Sequence, residues 1–153
     1  MESDIRRVYR AAGLLAFACF LGLAAGCMGP RKVSDKDIKA VSISRVLELV
    51  ESQRGDPGER KLLLIDSRAS AKYRAGHLPG AENILLSGID PNKKRDKRMD
   101  SYDEIVVYAD NPGSASARGL VKRMLVMRYD DVRLFAGGYD QWVTSGLDVE
   151  KSE

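Results

Sequence analysis

The sequence predicts an α/β fold, a single domain with a central parallel sheet and helices on both of its faces. Two observations predict it. Short apolar runs, which are typical of strands buried on both faces, alternate with segments whose apolar residues recur at helical spacing. Parallel strands need crossover connections, and helices between the strands supply them. The 153 residues, 31% charged and 44% hydrophobic, suffice for one globular domain and an appendage.

The first helix and strand follow a polar linker. Apolar residues fall at i, i+3, i+4 and i+7 from Ile43 to Val50, which predicts a helix with Ser44 at its cap. Residues 61–66 form a short apolar run between turn-forming residues, which is typical of a buried strand. Residues 70–75 are predicted to form a helical turn that ends at Gly76.

The second half of the chain continues the alternation. Residues 104–108 predict the next buried strand, which the turn formers at 110–113 stop. A second helix is indicated by the spacing of Ala117, Leu120, Val121, Met124 and Leu125. Residues 132–135 predict a further strand, and a short helix around Trp142 follows it.

The N-terminal segment is predicted to be an export signal. Residues 11–26 carry no charge, and this run is short for a membrane-spanning helix, which needs roughly 20 apolar residues. Small residues directly before Cys27 make the segment resemble the lipobox of bacterial lipoproteins, although Ala24 stands where leucine is preferred. That resemblance implies a lipid on Cys27, which becomes the first residue of the mature chain. A retained anchor helix and cleavage without lipidation are the alternatives.

These observations divide the chain into three parts. We assign residues 1–26 to a signal peptide, 27–36 to the lipid anchor and linker, and 37–150 to the folded domain. The lipobox resemblance implies a place in the cell envelope, with the membrane as a partner through the lipidated N-terminus. Met28 rather than an aspartate follows Cys27, so the resemblance favours the outer membrane, facing the periplasm, over the inner membrane.

Composition narrows the classes of function. A net charge of +3, without a basic stripe interleaved with aromatic residues, gives no support for nucleic-acid binding. The two cysteines are Cys19 and Cys27, so from residue 28 onward no thiolate can act as a nucleophile and no disulfide can form. We expect no cofactor and no metal site.

Two motifs resemble the signatures of the rhodanese-like (sulfurtransferase) family. Asp66–Arg68 follows a buried strand and precedes Gly76–Ala81, GHLPGA, which is similar to the first signature of the family. Gly137–Trp142, GGYDQW, is similar to the closing signature. Both occur in the right order with a strand and a long helix between them, and the resemblance covers roughly residues 37–149. It implies a central parallel sheet flanked by helices.

The motif residues favour structural roles. A strand-end carboxylate beside an arginine usually satisfies local groups, so Asp66 and Arg68 are predicted to pair with each other and with loop backbone. His77 is predicted to hold its turn together through imidazole hydrogen bonds, with a general-base role as the alternative. Trp142 is predicted to anchor the core. The remaining motif residues in this group are Gly137 and Gly138.

The resemblance also implies where a nucleophile would stand. In active members of the family a cysteine ends the strand, and a loop then wraps its N–H groups around the sulfur while the next helix points its N-terminus at it. Here the strand runs to Tyr108 and is followed by Ala109. We therefore expect no catalytic residue in the domain.

The loop after Ala109 is a possible anion-binding site, made of Asp110, Asn111, Gly113, Ser114, Ala115 and Ser116. The last four lie where a helix begins, so their N–H groups are expected to be unsatisfied donors. Pro112 offers no N–H and Asp110 adds a negative charge, so binding is expected to be weak. Arg118 is expected to lie too far into the helix to replace the arginine that active members often carry in this loop.

Three hypotheses for function follow. The first is a non-enzymatic binding or regulatory module in the cell envelope, whose partner is a protein or a small anion. The second is a true sulfurtransferase or thiol phosphatase, which the lack of a cysteine in the domain excludes. A role in sulfur trafficking beside a thiol-bearing partner stays open as the alternative to the first. The third is an enzyme with Asp110 or Ser114 as nucleophile, which needs an activating base. Nothing in the sequence places His77, the single histidine, beside either of them.

Residues 93–98 form a basic run, KKRDKR. It opens after Asp90–Asn92, and no apolar residue interrupts it. A solvated loop is favoured, and contact with anionic lipid head groups is the alternative.

Overall fold

The sheet consists of parallel strands and is covered on both faces, which confirms the predicted α/β fold. The computed structural model describes residues 31–55, 61–129 and 131–153. The predicted signal peptide and the lipidation point at Cys27 lie outside these residues. Within them, Arg31–Glu153 forms one compact unit.

Nine helices and strands make up the described part of the chain, besides short 3-10 turns. The strands are β1 (Lys39–Ala40), β2 (Leu62–Asp66), β3 (Glu82–Asn83), β4 (Glu104–Tyr108) and β5 (Val132–Phe135). The helices are α1 (Ile43–Gly55), α2 (Ser70–Ala75), α3 (Ala115–Val126) and α4 (Gly138–Thr144). The five strands lie in the order β1-β5-β4-β2-β3.

The three longer strands form the centre of the sheet, as their apolar sequences predicted. Ile65 pairs with Val107, and Val107 pairs with Leu134 on the next strand. Every residue of β2 and β4 is buried, which explains why these strands show an apolar run instead of an alternating pattern. The edge strands β1 and β3 have two residues each, which is too short for any periodicity.

The core has two layers, one on each face of the sheet. On one face α3 packs against the sheet through the five residues whose spacing predicted this helix. On the other face α1 and α4 pack against the sheet through Val46, Leu49, Val50 and Trp142. The alternation of strand side chains between the faces divides the core in this way.

The cap of α1 differs from the prediction. The helix begins at Ile43, and the Arg45 N–H donates to Oγ of Ser42 at 3.3 Å. Ser44, the predicted cap, lies inside the first turn because the helix starts one residue before it. Among the described helices, none is long and apolar enough to cross a membrane.

Candidate functional site

The candidate site lies at the carboxyl edge of the sheet. The chain leaves β2 at Asp66, β4 at Tyr108 and β5 at Phe135, and parallel pairing brings these three ends together. In parallel α/β sheets this edge is where ligands bind. Asp66 ends β2, and the GHLPGA turn comes after α2. The loop after Ala109 follows β4, and the GGYDQW motif follows β5.

A buried polar network joins the ends of β2 and β4. Arg68 and Asp66 form a two-point ion pair, with Nη2–Oδ2 at 2.6 Å and Nε–Oδ1 at 3.0 Å. The hydroxyl of Tyr108 donates to Asp66 Oδ2 at 2.9 Å and accepts the N–H of Leu78 at 3.0 Å. Arg68 also donates to the carbonyl oxygen of Gly76 at 2.6 Å. The network therefore fixes the GHLPGA turn against the strand ends.

The ion pair with Asp66 keeps Arg68 charged against the effect of burial, and burial keeps Tyr108 neutral. Burial alone would lower the pKa of Arg68, but the hydrogen bonds and the charge of Asp66 hold that pKa above its usual value. Burial, followed by the charge of Asp66, raises the pKa of Tyr108 far above that of a free tyrosine. Both side chains therefore keep one protonation state throughout the physiological range.

Ala109 is buried directly after β4. Its side chain is 2% exposed and belongs to the apolar cluster under α3, next to residues such as Ala117. Its carbonyl oxygen accepts the N–H of Tyr139 at 2.9 Å, and that of Asp110 accepts the N–H of Asp140 at the same distance. The start of α4 thus holds the loop at its first two residues.

The loop closes on itself through Asn111, so the expectation of four unsatisfied donors is wrong for two of them. The N–H of Gly113 donates to Oδ1 of Asn111 at 3.0 Å, and the N–H of Ser114 donates to its backbone oxygen at 3.0 Å. The physical reason is an Asx turn, in which an asparagine side chain bonds its own backbone two residues on. Ala115 and Ser116 are the first two residues of α3, whose opening N–H groups have no partner within the helix.

Asp110 is compensated by cations from two other segments. Its Oδ2 lies 2.9 Å from Nζ of Lys72 on α2, and its Oδ1 lies 3.9 Å from Nη1 of Arg68. The guanidinium of Arg68 also stacks 4.0 Å from the centre of the Tyr139 ring. No pattern in the sequence singled out Lys72, because its position depends on the reach of a side chain across the fold.

Arg118 lies inside α3, and its side chain contacts the loop. Its Nη2 donates to the carbonyl oxygen of Pro112 at 3.4 Å. The side chain of an arginine in the first turn can extend back past the helix N-terminus, which residue counting along the chain does not reveal.

Two serines complete the floor of the site. The hydroxyl of Ser67 donates to the carbonyl oxygen of Tyr108 at 2.9 Å and lies 3.2 Å from Oγ of Ser116. Ser67 belongs to the first motif, but its contacts with Tyr108 and Ser116 follow only from the pairing of β2 with β4.

His77 lies in the GHLPGA turn, and its side chain contacts α2 and the C-terminal tail. Its Nδ1 is 2.9 Å from the carbonyl oxygen of Tyr73, which can only accept, so Nδ1 carries the hydrogen. The ring stacks on Tyr73, and Nε2 lies 3.9 Å from Oε2 of Glu150. The polar partners of His77 in the described chain therefore hold its turn and the C-terminal tail, and they include neither Asp110 nor Ser114.

The closing motif supports the loop from below. Trp142 is 1% exposed, and its Nε1 donates to the carbonyl oxygen of Asp148 at 2.8 Å. Gly137 precedes α4, and Gly138 begins it with a positive φ of 62°. Among the described residues, no group of three or more His, Cys, Asp or Glu side chains could hold a metal ion.

The comparison with known families agrees with this architecture. The model of the rhodanese-like domain matches residues 47–145, which is more than half of the chain. The chain therefore belongs to the rhodanese-like family. The thiosulfate sulfurtransferase GlpE of Pseudoalteromonas translucida is 27% identical over 104 residues, which make up 68% of this chain and 88% of the relative.

Solved structures show the same fold. A protein from Bacillus halodurans superposes with a TM-score of 0.60 at 21% identity, covering 76% of this chain and 79% of that chain. A protein of unknown function from Rhodopseudomonas palustris, described as a possible tyrosine phosphatase, reaches 0.60 at 20% identity, covering 79% and 98%. The human single-domain sulfurtransferase reaches 0.53 at 22% identity, covering 69% and 95%. At these identities the likeness establishes the fold.

Proposed function

We propose that the protein is a membrane-tethered rhodanese-like module that binds a protein partner or a small anion and transfers neither sulfur nor phosphate itself. The observation that carries this proposal is Ala109. It directly follows β4, where the family resemblance places the nucleophilic cysteine, and a methyl group cannot attack sulfur or phosphorus. No cysteine occurs from residue 28 onward.

The surroundings of the loop also argue against an oxygen nucleophile. A serine or carboxylate nucleophile needs an adjacent base. The Oγ of Ser114 accepts the N–H of Asn111 at 3.3 Å, and the carboxylate of Asp110 is paired with Lys72. Among the described contacts, neither side chain touches a histidine. Asp110 and Ser114 therefore support the shape and charge of a binding edge, not turnover.

The tether belongs to the proposal as well. Its support is the uncharged run that ends before Cys27, and it would hold the module in the cell envelope, with the outer membrane facing the periplasm as the favoured place. The short linker would keep the domain near the membrane. A partner would then have to be an envelope protein or a small molecule of that compartment.

A second candidate is a role in sulfur trafficking beside a thiol-bearing partner. The similarity to a thiosulfate sulfurtransferase favours it. In that case the module would present its loop to a partner's persulfide and supply binding, while the partner supplies the thiol. Binding of a persulfidated partner, with no binding of its reduced form, would distinguish this candidate from the first.

The test is an assay of the full chain for sulfur transfer from thiosulfate to cyanide and for phosphate-ester hydrolysis. The GlpE relative serves as the positive control for sulfur transfer. We expect no turnover above the buffer blank. The matched variant Cys19→Ser/Cys27→Ser separates the remaining outcomes. Turnover that this variant loses would assign a thiol mechanism to one of the two cysteines, and turnover that it keeps would require an oxygen nucleophile; either result overturns the proposal.

A further inference from the structure

A basic loop lies at the other end of the molecule from the candidate site. We use the name basic loop for residues 89–98. Arg95 stacks 4.3 Å from the ring centre of Tyr129, donates to the carbonyl oxygen of Arg128 at 2.6 Å and pairs with Asp100. Arg98 pairs with Asp96 at 2.9 Å. The charges of the two arginines are therefore already paired, and these contacts stabilise the conformation of the loop.

The three lysines of the basic loop remain available. Lys93, Lys94 and Lys97 are exposed, and none of them forms an ion pair within the described part of the chain. They extend from a backbone that the arginines fix, so the three charges form a defined patch. Lys93 and Lys94 line a cavity of about 240 Å³. The rest of its lining includes the apolar residues Ile84, Ile89, Met99 and Met127 and the carboxylates of Asp90 and Asp96. Cationic groups above apolar surface suit the interface of a bilayer.

The patch and the site occupy opposite edges of the sheet. The basic loop leads through a 3-10 turn at Met99–Ser101 to the first residue of β4, whereas Ala109 follows the last residue of that strand. Arg95 stacks on the ring of Tyr129, which lies just after the C-terminal end of α3. The candidate site lies at the N-terminal end of that helix. A surface that met the basic loop would leave the site exposed.

The chain enters the domain on the same side as the basic loop. β1 runs parallel to β5 and β4, so the residues that precede Lys39 lie at the edge of the sheet where β4 begins and to which the basic loop leads. Val33 and Ile38 pack against the apolar cluster on the α3 face. Asp35 anchors the entering segment to α3, because its Oδ1 lies 3.0 Å from Nζ of Lys122. From Cys27 to Val33 the chain can span at most about 20 Å. A lipid on Cys27 would therefore hold this side of the domain close to the bilayer.

We infer that the basic loop docks on the anionic lipid head groups of the membrane to which the chain is tethered, which turns the candidate site away from the bilayer. The inference rests on the proposed tether. The sequence favoured a solvated loop, and the position of the loop relative to the chain entry changes that expectation. Each basic residue near an anionic leaflet raises association about fivefold, and the tether supplies a local concentration in the millimolar range. Salt should weaken the contact, because these charges are exposed.

The experiment uses the full chain reconstituted into vesicles of phosphatidylcholine alone or mixed with phosphatidylglycerol. The rate of acetylation of each lysine by a water-soluble reagent is measured by mass spectrometry. Lys93, Lys94 and Lys97 should react at least about fivefold more slowly on the anionic vesicles, and high salt should remove the difference. Lys151, which follows the tail segment beside His77, should react equally on both and serves as the internal control.

Matched variants sharpen the result. Lys93→Gln/Lys94→Gln should lower the protection of Lys97, whereas Lys151→Gln should leave it unchanged. Equal rates on both kinds of vesicle, or equal protection of the loop lysines on neutral vesicles, overturn the inference. Sedimentation with the vesicles tests the tether separately. A chain that does not sediment contradicts the proposed tether, and a chain that sediments with unprotected lysines contradicts only the docking.

Discussion

Gly138 lies against the backbone of Ala109. A Cβ atom built on Gly138 would lie 2.4 Å from the carbonyl oxygen of Ala109, and φ at Gly138 is 62°. The same carbonyl accepts the N–H of Tyr139 at 2.9 Å. The second glycine of the closing motif is therefore required by two independent features, a left-handed backbone and a close approach that brings α4 to the loop.

Gly138→Ala should destabilise the protein by about 3 kcal/mol, because a left-handed alanine costs about 1–2 kcal/mol and the clash forces the loop to move. Gly80→Ala is the matched control. Gly80 also has a positive φ, of 72°, but a Cβ atom there meets nothing within 4 Å. Its cost should be the backbone term alone, about 1–2 kcal/mol. Chemical unfolding followed by the fluorescence of Trp142, the single tryptophan, measures both. Equal losses would show that the approach to Ala109 is not tight.

Tyr108→Phe should cost about 1–2 kcal/mol near neutral pH, because it removes the hydroxyl that bonds Asp66 and Leu78. Burial first, and then the charge of Asp66, raises the pKa of Tyr108 from 10.0. Above about pH 10 the unfolded chain releases this proton while the folded chain keeps it, so the stability of the native protein falls with rising pH. The variant lacks that term, and the difference between the two proteins should shrink by about 1.4 kcal/mol per pH unit there. A difference that stays constant between about pH 8 and pH 11 would contradict the burial of this hydroxyl.

The sequence predicted the layers of the fold well. The apolar runs of β2, β4 and β5 and the helical spacing in α3 are direct consequences of burial, so these elements match the prediction. The strands β1 and β3 could not be predicted, because pairing with β5 and β2 defines them and two residues carry no pattern. The cap at Ser42 was missed because Ser44 is an equally good capping residue by type.

The sequence indicated where the candidate site lies, but not which of its side chains are in contact. The order of the motifs brings Asp66 and Ala109 to one edge, since Asp66 ends β2 and Ala109 follows β4 in a parallel sheet. The ion pair between Asp110 and Lys72 could not be predicted, because nothing in the sequence relates these two positions to each other. The bond from Gly113 to the side chain of Asn111 did have a signal, the Asn-Pro-Gly turn, which favours an Asx turn over free donors.

Ala109→Cys should give a thiol whose pKa is no lower than the usual value of about 8.5. The position is 2% exposed in an apolar cluster, and burial raises the pKa of a thiol. The start of α3 opposes this effect, but Asn111 already takes the N–H groups of Gly113 and Ser114. The pH dependence of alkylation measures the pKa, and sulfur transfer should stay absent.

Adding Asn111→Ala to Ala109→Cys gives the matched comparison. This change frees the N–H of Gly113 from the side chain that now accepts it, so the thiol pKa should fall relative to the single variant. A single variant with a strongly acidic thiol would show instead that the loop rearranges into a cradle around sulfur. The proposed lack of activity would then depend on residue 109 alone.

Asp110→Asn should strengthen the binding of sulfate or thiosulfate at the loop by about five- to tenfold, from an affinity in the millimolar range or weaker. The carboxylate now neutralises Lys72 at 2.9 Å and lies 3.9 Å from Arg68, and it is partly exposed, so solvent limits the gain. Asn keeps the shape of the side chain and leaves Lys72 to an incoming anion, while Arg68 stays paired with Asp66. Calorimetric titration at constant ionic strength measures the change.

Asp140→Asn is the control of equal charge for this last prediction. Asp140 accepts a hydrogen bond from Nδ2 of Asn111 at 3.1 Å, but within the described residues it forms no ion pair with Lys72 or Arg68. Its substitution changes the net charge by the same amount without releasing a cation, so the affinity should rise much less. Equal gains in the two variants would mean that only the net charge of the edge matters. A gain confined to Asp110→Asn would mean that the loop carries its own carboxylate where an anionic ligand would bind, and that this carboxylate sets the weak affinity of the site.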